Sequence, residues 1–295
     1  MTDTGRGGPH AAGRIRVGVS GWRYPRWRGD FYPAGMPQRG ELAYIGERFS
    51  TVELNGSFYS LQRPDSYLRW RDSVPEGFLF AVKGSRYITH MLRLRDADAA
   101  LANFFASGPL ALGERLGPFL WQLPQRQVFD PEILDAFLRA LPRSTHEAVA
   151  LARRHDARLD GRTWLGPVPD APLRHALEPR SPSFHDPRCA DLLRRHGVAF
   201  ALADTAGRWP RFDALTADFG YVRLHGAREL YHSGYRDAEL REWADLTQGW
   251  AGGAGEGGRE VFVYFDNDAR GHAPHDALAL ARLVGDRPGP ADTAR

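Results

Sequence analysis

The chain has one cysteine in 295 residues, three methionines, no long apolar run and almost no excess charge of either sign. Each shortage excludes something. A single thiol, Cys189, cannot form an internal disulfide, so stability must come from core packing, and the usage fits a reducing compartment. The surrounding "DPRCADLLRRHGV" reads as an amphipathic helix with Cys189 among small or apolar positions, a structural place for a thiol. No stretch reaches the ~20 apolar residues of a membrane-spanning helix, and the Gly-rich start "MTDTGRGGPHAAG" has no run suited to a signal peptide, so a cytoplasmic protein without a membrane partner is expected. Thirty-nine Lys and Arg against 36 Asp and Glu leave a net +3, a small excess and not a basic stripe, which disfavours nucleic acid as a partner. No dinucleotide fingerprint occurs, and "GWAGGAGEGGRE" lacks the Lys-Ser/Thr ending of a phosphate loop and reads as a flexible turn. No motif requires a redox cofactor.

What is present is a soluble, globular composition, 42% hydrophobic and 25% charged, in which short apolar runs alternate with helical patterns. The runs are residues 15–20, 51–55, 78–83, 118–123, 173–179, 198–204, 221–225 and 260–266. Helical patterns cover 39–49, 65–73, 96–112, 131–141, 186–196, 237–250 and 274–284, and their starts carry Asp or Pro. Eight strand-helix units in one chain predict an α/β fold: a single-domain (β/α)8 TIM-like barrel over residues 14–285, with a doubly wound open sheet as the other possibility. Residues 1–13 and 286–295 have the composition of disordered tails. Between the sixth and seventh runs there is room only for a short helix, and between the fourth and fifth lies an extra segment, about 144–172, read as an insertion on the barrel exterior.

Barrels of this kind carry their chemistry at the C-terminal ends of the strands. Because strand side chains alternate, Glu53 pairs with Asn55 on one face, Glu178 with Arg180, Arg223 with His225 and Tyr264 with Asp266, while three other strands end in Lys83, Gln122 and Asp204. So many charged groups can be buried together only if they pair or meet a ligand. They form either an internal salt-bridge network or a functional mouth. The stretch "SGWRYPRWRGDFYP" (20–33) follows the first strand. Trp22, Tyr24, Trp27, Phe31 and Tyr32 there could cover a pocket, with Arg23, Arg26 and Arg28 offering donors; equally, Trp22 and Trp27 could pack on the rim with the arginines solvated. Gly226 and Gly271 sit where barrels often hold phosphate. His232, and His272 with His275 in "HAPH", read as a flexible loop and a solvated helix start.

The blocks "VGVSGWRYPRWRGDFYP", "FSTVELNGSFY", "FAVKGSRYITH", "LGPFLWQLP", "EPRSPSF", "LAD", "YVRLHG" and "VFVYFDNDARGHAPHDAL", in that order, resemble the domain of unknown function 72 family from about Arg14 to Leu283. The resemblance implies a TIM-like barrel and no established reaction. By motif match it singles out Gly21, Trp22, Glu53, Asn55, Lys83, His90, Gln122, Glu178, Arg180, Asp204, Arg223, His225, Gly226 and Asn267. Asp266 replaces an asparagine common in the family, and Phe184 a tryptophan.

Together these readings predict an enzyme (hydrolase, lyase or isomerase) that uses acid–base chemistry on a small anionic, phosphorylated or sugar-like substrate. Glu178 and Asp204 are the candidate acid and base, His225 and Lys83 further catalytic groups, and Arg180 and Arg223 anion holders. Trp22, Glu53, Asn55, Gln122, Tyr264, Asp266 and Asn267 complete the binding set. Two alternatives are a divalent-metal hydrolase, nuclease or isomerase built on the carboxylates and His225, and a non-catalytic nucleic-acid module.

Overall fold

The computed structural model describes residues 13–253 and 258–287. Of the expected tails, 1–13 and 286–295, residues 1–12 and 288–295 lie outside the described residues, as do residues 254–257 of the glycine-rich turn. Among the described residues nine parallel strands form one sheet: β1 (Ile15–Ser20), β2 (Thr51–Leu54), β3 (Leu79–Lys83), β4 (Leu116–Gln122), β5 (His175–Glu178), β6 (Ala199–Phe200), β7 (Leu202–Asp204), β8 (Phe219–Leu224) and β9 (Glu260–Phe265). Their order is β6-β5-β4-β3-β2-β1-β9-β8-β7. The two outermost strands are halves of one apolar run, separated only by Ala201, so the sheet rolls into a nearly closed barrel. β6 pairs with β5 and β7 with β8, and the Ala201 N–H still donates to Leu177 O at 2.9 Å. The expected eight strands are therefore nine, because the sixth changes partner at the seam.

The helices are α1 (Glu41–Gly46), α2 (Gly56–Tyr59), α3 (Pro64–Asp72), α4 (Asp98–Ala106), α5 (Pro131–Ala140), α6 (Thr145–Ala152), α7 (Pro187–Arg195), α8 (Asp237–Gly252) and α9 (Ala273–Val284). Local chemistry sets several starts. Asp130 accepts from the Glu132 and Ile133 N–H groups ahead of α5, Ser144 from Glu147 ahead of α6, and Asp186 from Arg188 ahead of α7. The single helix expected over 96–112 is broken at Gly108, whose φ of 117° is left-handed and whose Cβ would stand 2.7 Å from Pro64 Cα. The link at 205–218 contains turns and no helix. The insert packs α6 against α4.

Two apolar layers result. Alternate strand residues reach outward to the helices, including Val17, Val52, Val82, Leu224 and Val263. The others fill the barrel with Ala81, Leu120, Ala176, Ala199, Ala201, Phe219, Tyr221, Phe262 and Tyr264. Arg16 and Arg174 meet Glu260 beneath that filling, closing the end opposite the site. Asp286 is also tied in, its side chain accepting from the Val17 N–H at 2.8 Å and from Ser50 at 2.7 Å. No helix among the described residues is long and apolar enough to cross a membrane.

Candidate functional site

Above the apolar filling, the strand ends converge on Arg223, which is fully buried. Its Nε donates to Glu53 Oε2 at 3.0 Å and its Nη2 to Glu53 Oε1 at 2.7 Å. Nη1 donates to Glu178 Oε2 at 2.8 Å, and Nη2 also reaches Asp266 Oδ2 and Ser20 Oγ, both at 3.1 Å. Glu53 further accepts from Ser20 at 2.6 Å and from the Tyr221 hydroxyl at 2.7 Å. Glu178 accepts from Gln122 at 2.9 Å and from Arg180 Nε at 3.1 Å, and Asn55 donates to Ser20 at 2.8 Å. Register explains the convergence: Ser20 is level with Glu53, Gln122 with Glu178, and Arg223 with Tyr264, so alternation turns all of them inward.

This arrangement fixes the protonation of the cluster. Burial alone would raise the Glu178 carboxyl, but the Arg223 and Arg180 guanidiniums, ahead of Lys83, outweigh it and hold it well below the usual carboxylate range. Asp266 is held down to about 2 in the same way, burial opposing and Arg223 prevailing. Arg223 is held charged: burial opposes its charge, but Glu53, Glu178 and Asp266 raise it well above its ordinary value. His225 is lowered by burial and then by Arg223, which favours neutral imidazole. Its Nε2 lies 3.2 Å from Arg223 Nη1, a donor only, so Nε2 accepts and Nδ1 carries the hydrogen. Nδ1 is 3.0 Å from Asp266 Oδ2 but off the line of a good hydrogen bond.

Lys83 differs from the rest. It is 8% exposed, its Nζ lies 4.4 Å from the centroid of the Phe58 ring, and no carboxylate of the described residues stands within 4.0 Å of it. Burial, then Arg223, lower it from the ordinary ammonium value to about 8. Nearby His90, lowered by burial, Lys83 and Arg180 to about 4, is neutral. Arg180 lies over Trp209, 3.7 Å from that ring's centroid, and its two Nη groups make no hydrogen bond to the described residues.

Several residues expected at the site stand elsewhere. Asp204 is level with Leu224, while Ala203 is level with Arg223. Its side chain therefore turns away from the barrel interior and accepts from the Tyr235 hydroxyl at 2.9 Å. Asn267 likewise points into the helix layer, donating to Asp276 at 2.7 Å and to Ser233 O at 3.1 Å. Tyr264 lies below the mouth, its hydroxyl 2.8 Å from Thr51 Oγ1. Trp22 meets Trp70 edge-on at 5.7 Å and lines an outer groove with Tyr24 and Asn55. In the first loop Trp27, Phe31 and Tyr32 pack on the rim, Arg28 pairs with Glu41 at 2.8 Å, Arg23 and Arg26 are exposed, and the Tyr24 hydroxyl donates to Ser20 O. The Gly226 N–H is taken by Tyr235 at 3.0 Å, so it is not a free phosphate donor. Cys189 is buried, and burial pushes its thiol up to about 12.

Sequence reasoning did not single out Ser20, Tyr221 or Trp209 for the site. Tyr221 is two residues before Arg223, so the alternation that found Arg223 also marks it. Nothing in the sequence links Trp209 to Arg180. Among the described residues no three His, Cys, Asp or Glu side chains are grouped to hold a metal ion. The acids of the mouth, Glu53, Glu178 and Asp266, instead face the Arg223 guanidinium.

A family model described as protein of unknown function DUF72 matches residues 16–294. The chain belongs to the DUF72 family. It is similar to the UPF0759 protein YecE of Escherichia coli, K12 and O157:H7 strains alike, at 33% identity over 132 residues, 43% of this chain and 44% of the relative. The match thus spans less than half the length of these curated relatives. A DUF72 family protein from Thermotoga maritima superposes with a TM-score of 0.69 at 22% identity, over 92% of this chain and 99% of that one. One from Enterococcus faecalis gives 0.67 at 17%, over 95% and 100%. These likenesses carry the DUF72 barrel and no activity.

Proposed function

We propose that the barrel mouth binds a small anionic ligand and acts on it by proton transfer, with Lys83 as the group that gains and loses the proton. The observation that carries this reading is a buried lysine with no carboxylate partner among the described residues, at a mouth that also holds Arg180, whose Nη groups make no hydrogen bond to those residues and which, like Lys83, bears on both His90 and Glu178. A lysine lowered to about 8 is a competent base near neutrality. Glu178, held ionised by two arginines, serves as an electrostatic anchor for Arg180 and not as a proton carrier. Arg223, with its donors taken by three carboxylates and Ser20, keeps the mouth rigid. Proton transfer at carbon, as in a lyase or isomerase, fits a lysine base better than hydrolysis does.

The test is calorimetric titration with inorganic phosphate, phosphoglycolate and citrate. At least one should bind, and both Lys83→Met and Arg180→Ala should weaken it by about tenfold or more, the worth of a charge-assisted hydrogen bond. Unchanged affinity in both variants, or no binding by any probe, defeats the reading.

A further inference from the structure

A second groove opens beside the mouth, between the loops after β2 and β3 and the insert, with a volume of about 390 Å³, within the range of small-ligand sites. We propose that it binds a nucleotide, with the base against Tyr59 and Tyr87 and the phosphates on Arg63, Arg158 and Arg162.

Two features point there. Tyr59 is 71% exposed and Tyr87 41%, and four of the six large hydrophobic side chains left exposed among the described residues (Tyr59, Leu61, Tyr87 and Met91) sit on these two loops. Such a cluster of exposed apolar surface marks a contact site, and tyrosine faces suit a planar ring. The lining also includes three arginines and no carboxylate. Arg63 has no carboxylate of the described residues within 4.0 Å, whereas Arg158 is held in a two-point pair by Asp156, its Nε at 3.1 Å and its Nη2 at 2.6 Å from Oδ2, which leaves Nη1 for a ligand, and Arg162 donates to the Arg158 carbonyl. An inorganic anion would account for the arginines but not the tyrosines, and an apolar ligand would do the reverse. A ring bearing phosphates uses both.

The inference gives the insert a purpose. Arg158 and Arg162 come from it, and it is pinned to α4: Asn103 Nδ2 donates to Asp156 Oδ2 at 2.9 Å, the Asp156 N–H returns to Asn103 Oδ1 at 3.0 Å, and the Trp164 N–H donates to Ala106 O at 2.9 Å. The groove floor includes Ser85, two residues beyond Lys83, but none of the charged groups of the mouth. The inference is thus independent of the function proposed for the mouth.

The experiment follows fluorescence of an N-methylanthraniloyl ADP probe on the full chain, competed by ADP, adenosine, pyrophosphate and a short single-stranded oligonucleotide. ADP should compete at least about tenfold better than adenosine or pyrophosphate, and Tyr59→Ala/Tyr87→Ala and Arg63→Ala/Arg162→Ala should each lose about tenfold or more without a change in melting temperature. Lys83→Met should bind the probe as the parent does. The proposal is overturned if pyrophosphate matches ADP, if the oligonucleotide outcompetes it, if either double variant binds normally, or if Lys83→Met removes binding.

Discussion

Arg223 and Glu53 meet as a fully buried two-point pair, although 170 residues separate them in the chain. The same guanidinium also answers Glu178 and Asp266, so one cation holds three strand ends together. Replacing it by methionine leaves two buried carboxylates, Glu53 and Glu178, and the half-buried Asp266 without their counter-charge, and removing one partner of a buried pair costs about 3–5 kcal/mol. Arg223→Met should therefore unfold at a clearly lower urea concentration, and its deficit should grow as pH rises through the carboxylate range. Arg223→Lys should recover only part of the loss, because an ammonium cannot make the two-point contact. An Arg223→Met chain within about 1 kcal/mol of the parent would show that the network does not hold the mouth, against the expectation from a buried pair.

Lys83 should leave its mark at alkaline pH. Its folded value of about 8 lies below that of the unfolded chain, so between the two the unfolded state binds more protons. Stability attributable to Lys83 must then rise with pH above about 8 and level off near pH 10.5, where the unfolded lysine also titrates. In Lys83→Met this component is absent. The difference in unfolding free energy between parent and variant, followed from pH 7 to 10.5, should move in the parent's favour by up to roughly 3 kcal/mol. A flat difference would mean that the lysine is not perturbed.

The inward set Glu53, Gln122, Glu178, Arg223 and Asp266 was legible because a strand alternates with period two, whatever the fold around it. Asp204, the end of its strand, shows the limit of that rule, whereas Asn267 came from the motif match and stands out of phase with Asp266. Alternation within one strand does not say which face is inward until the register to the next strand is known, and Ala203, not Asp204, is level with Arg223. The division of the sixth strand was invisible, because "VAFALAD" is nearly all apolar and a change of hydrogen-bond partner at Ala201 has no signature there. Arg223 as a hub was also beyond reach, since its partners come from strands far apart in the chain.

That seam offers a packing test. Ala201 is 1% exposed and shares the barrel filling with Ala176, Ala199 and Phe219. Ala201→Leu forces extra methylenes into a filled interior and should destabilise by about 1–3 kcal/mol. Ala99→Leu, at an exposed position of α4, should be nearly neutral by comparison. Equal effects at the two positions would mean that the barrel has room to spare at its seam.

Asp268 joins the first loop to the last strand by accepting from the Trp27 indole N–H. Burial, aided by Asp266 and opposed by that hydrogen bond, raises its carboxyl to about 6. A raised acid means that the folded chain keeps a proton the unfolded chain has already lost between about pH 4 and 6. The stability Asp268 contributes is thus present at the acid end of that window and is lost as pH rises through it. Asp268→Asn keeps an acceptor for Trp27 and removes the charge, so the parent should lose melting temperature relative to the variant from pH 4 to 6 and stay level with itself above pH 7. A parent that instead gains on the variant over that interval would place the carboxyl below its ordinary value and leave the link between the two loops to the indole alone.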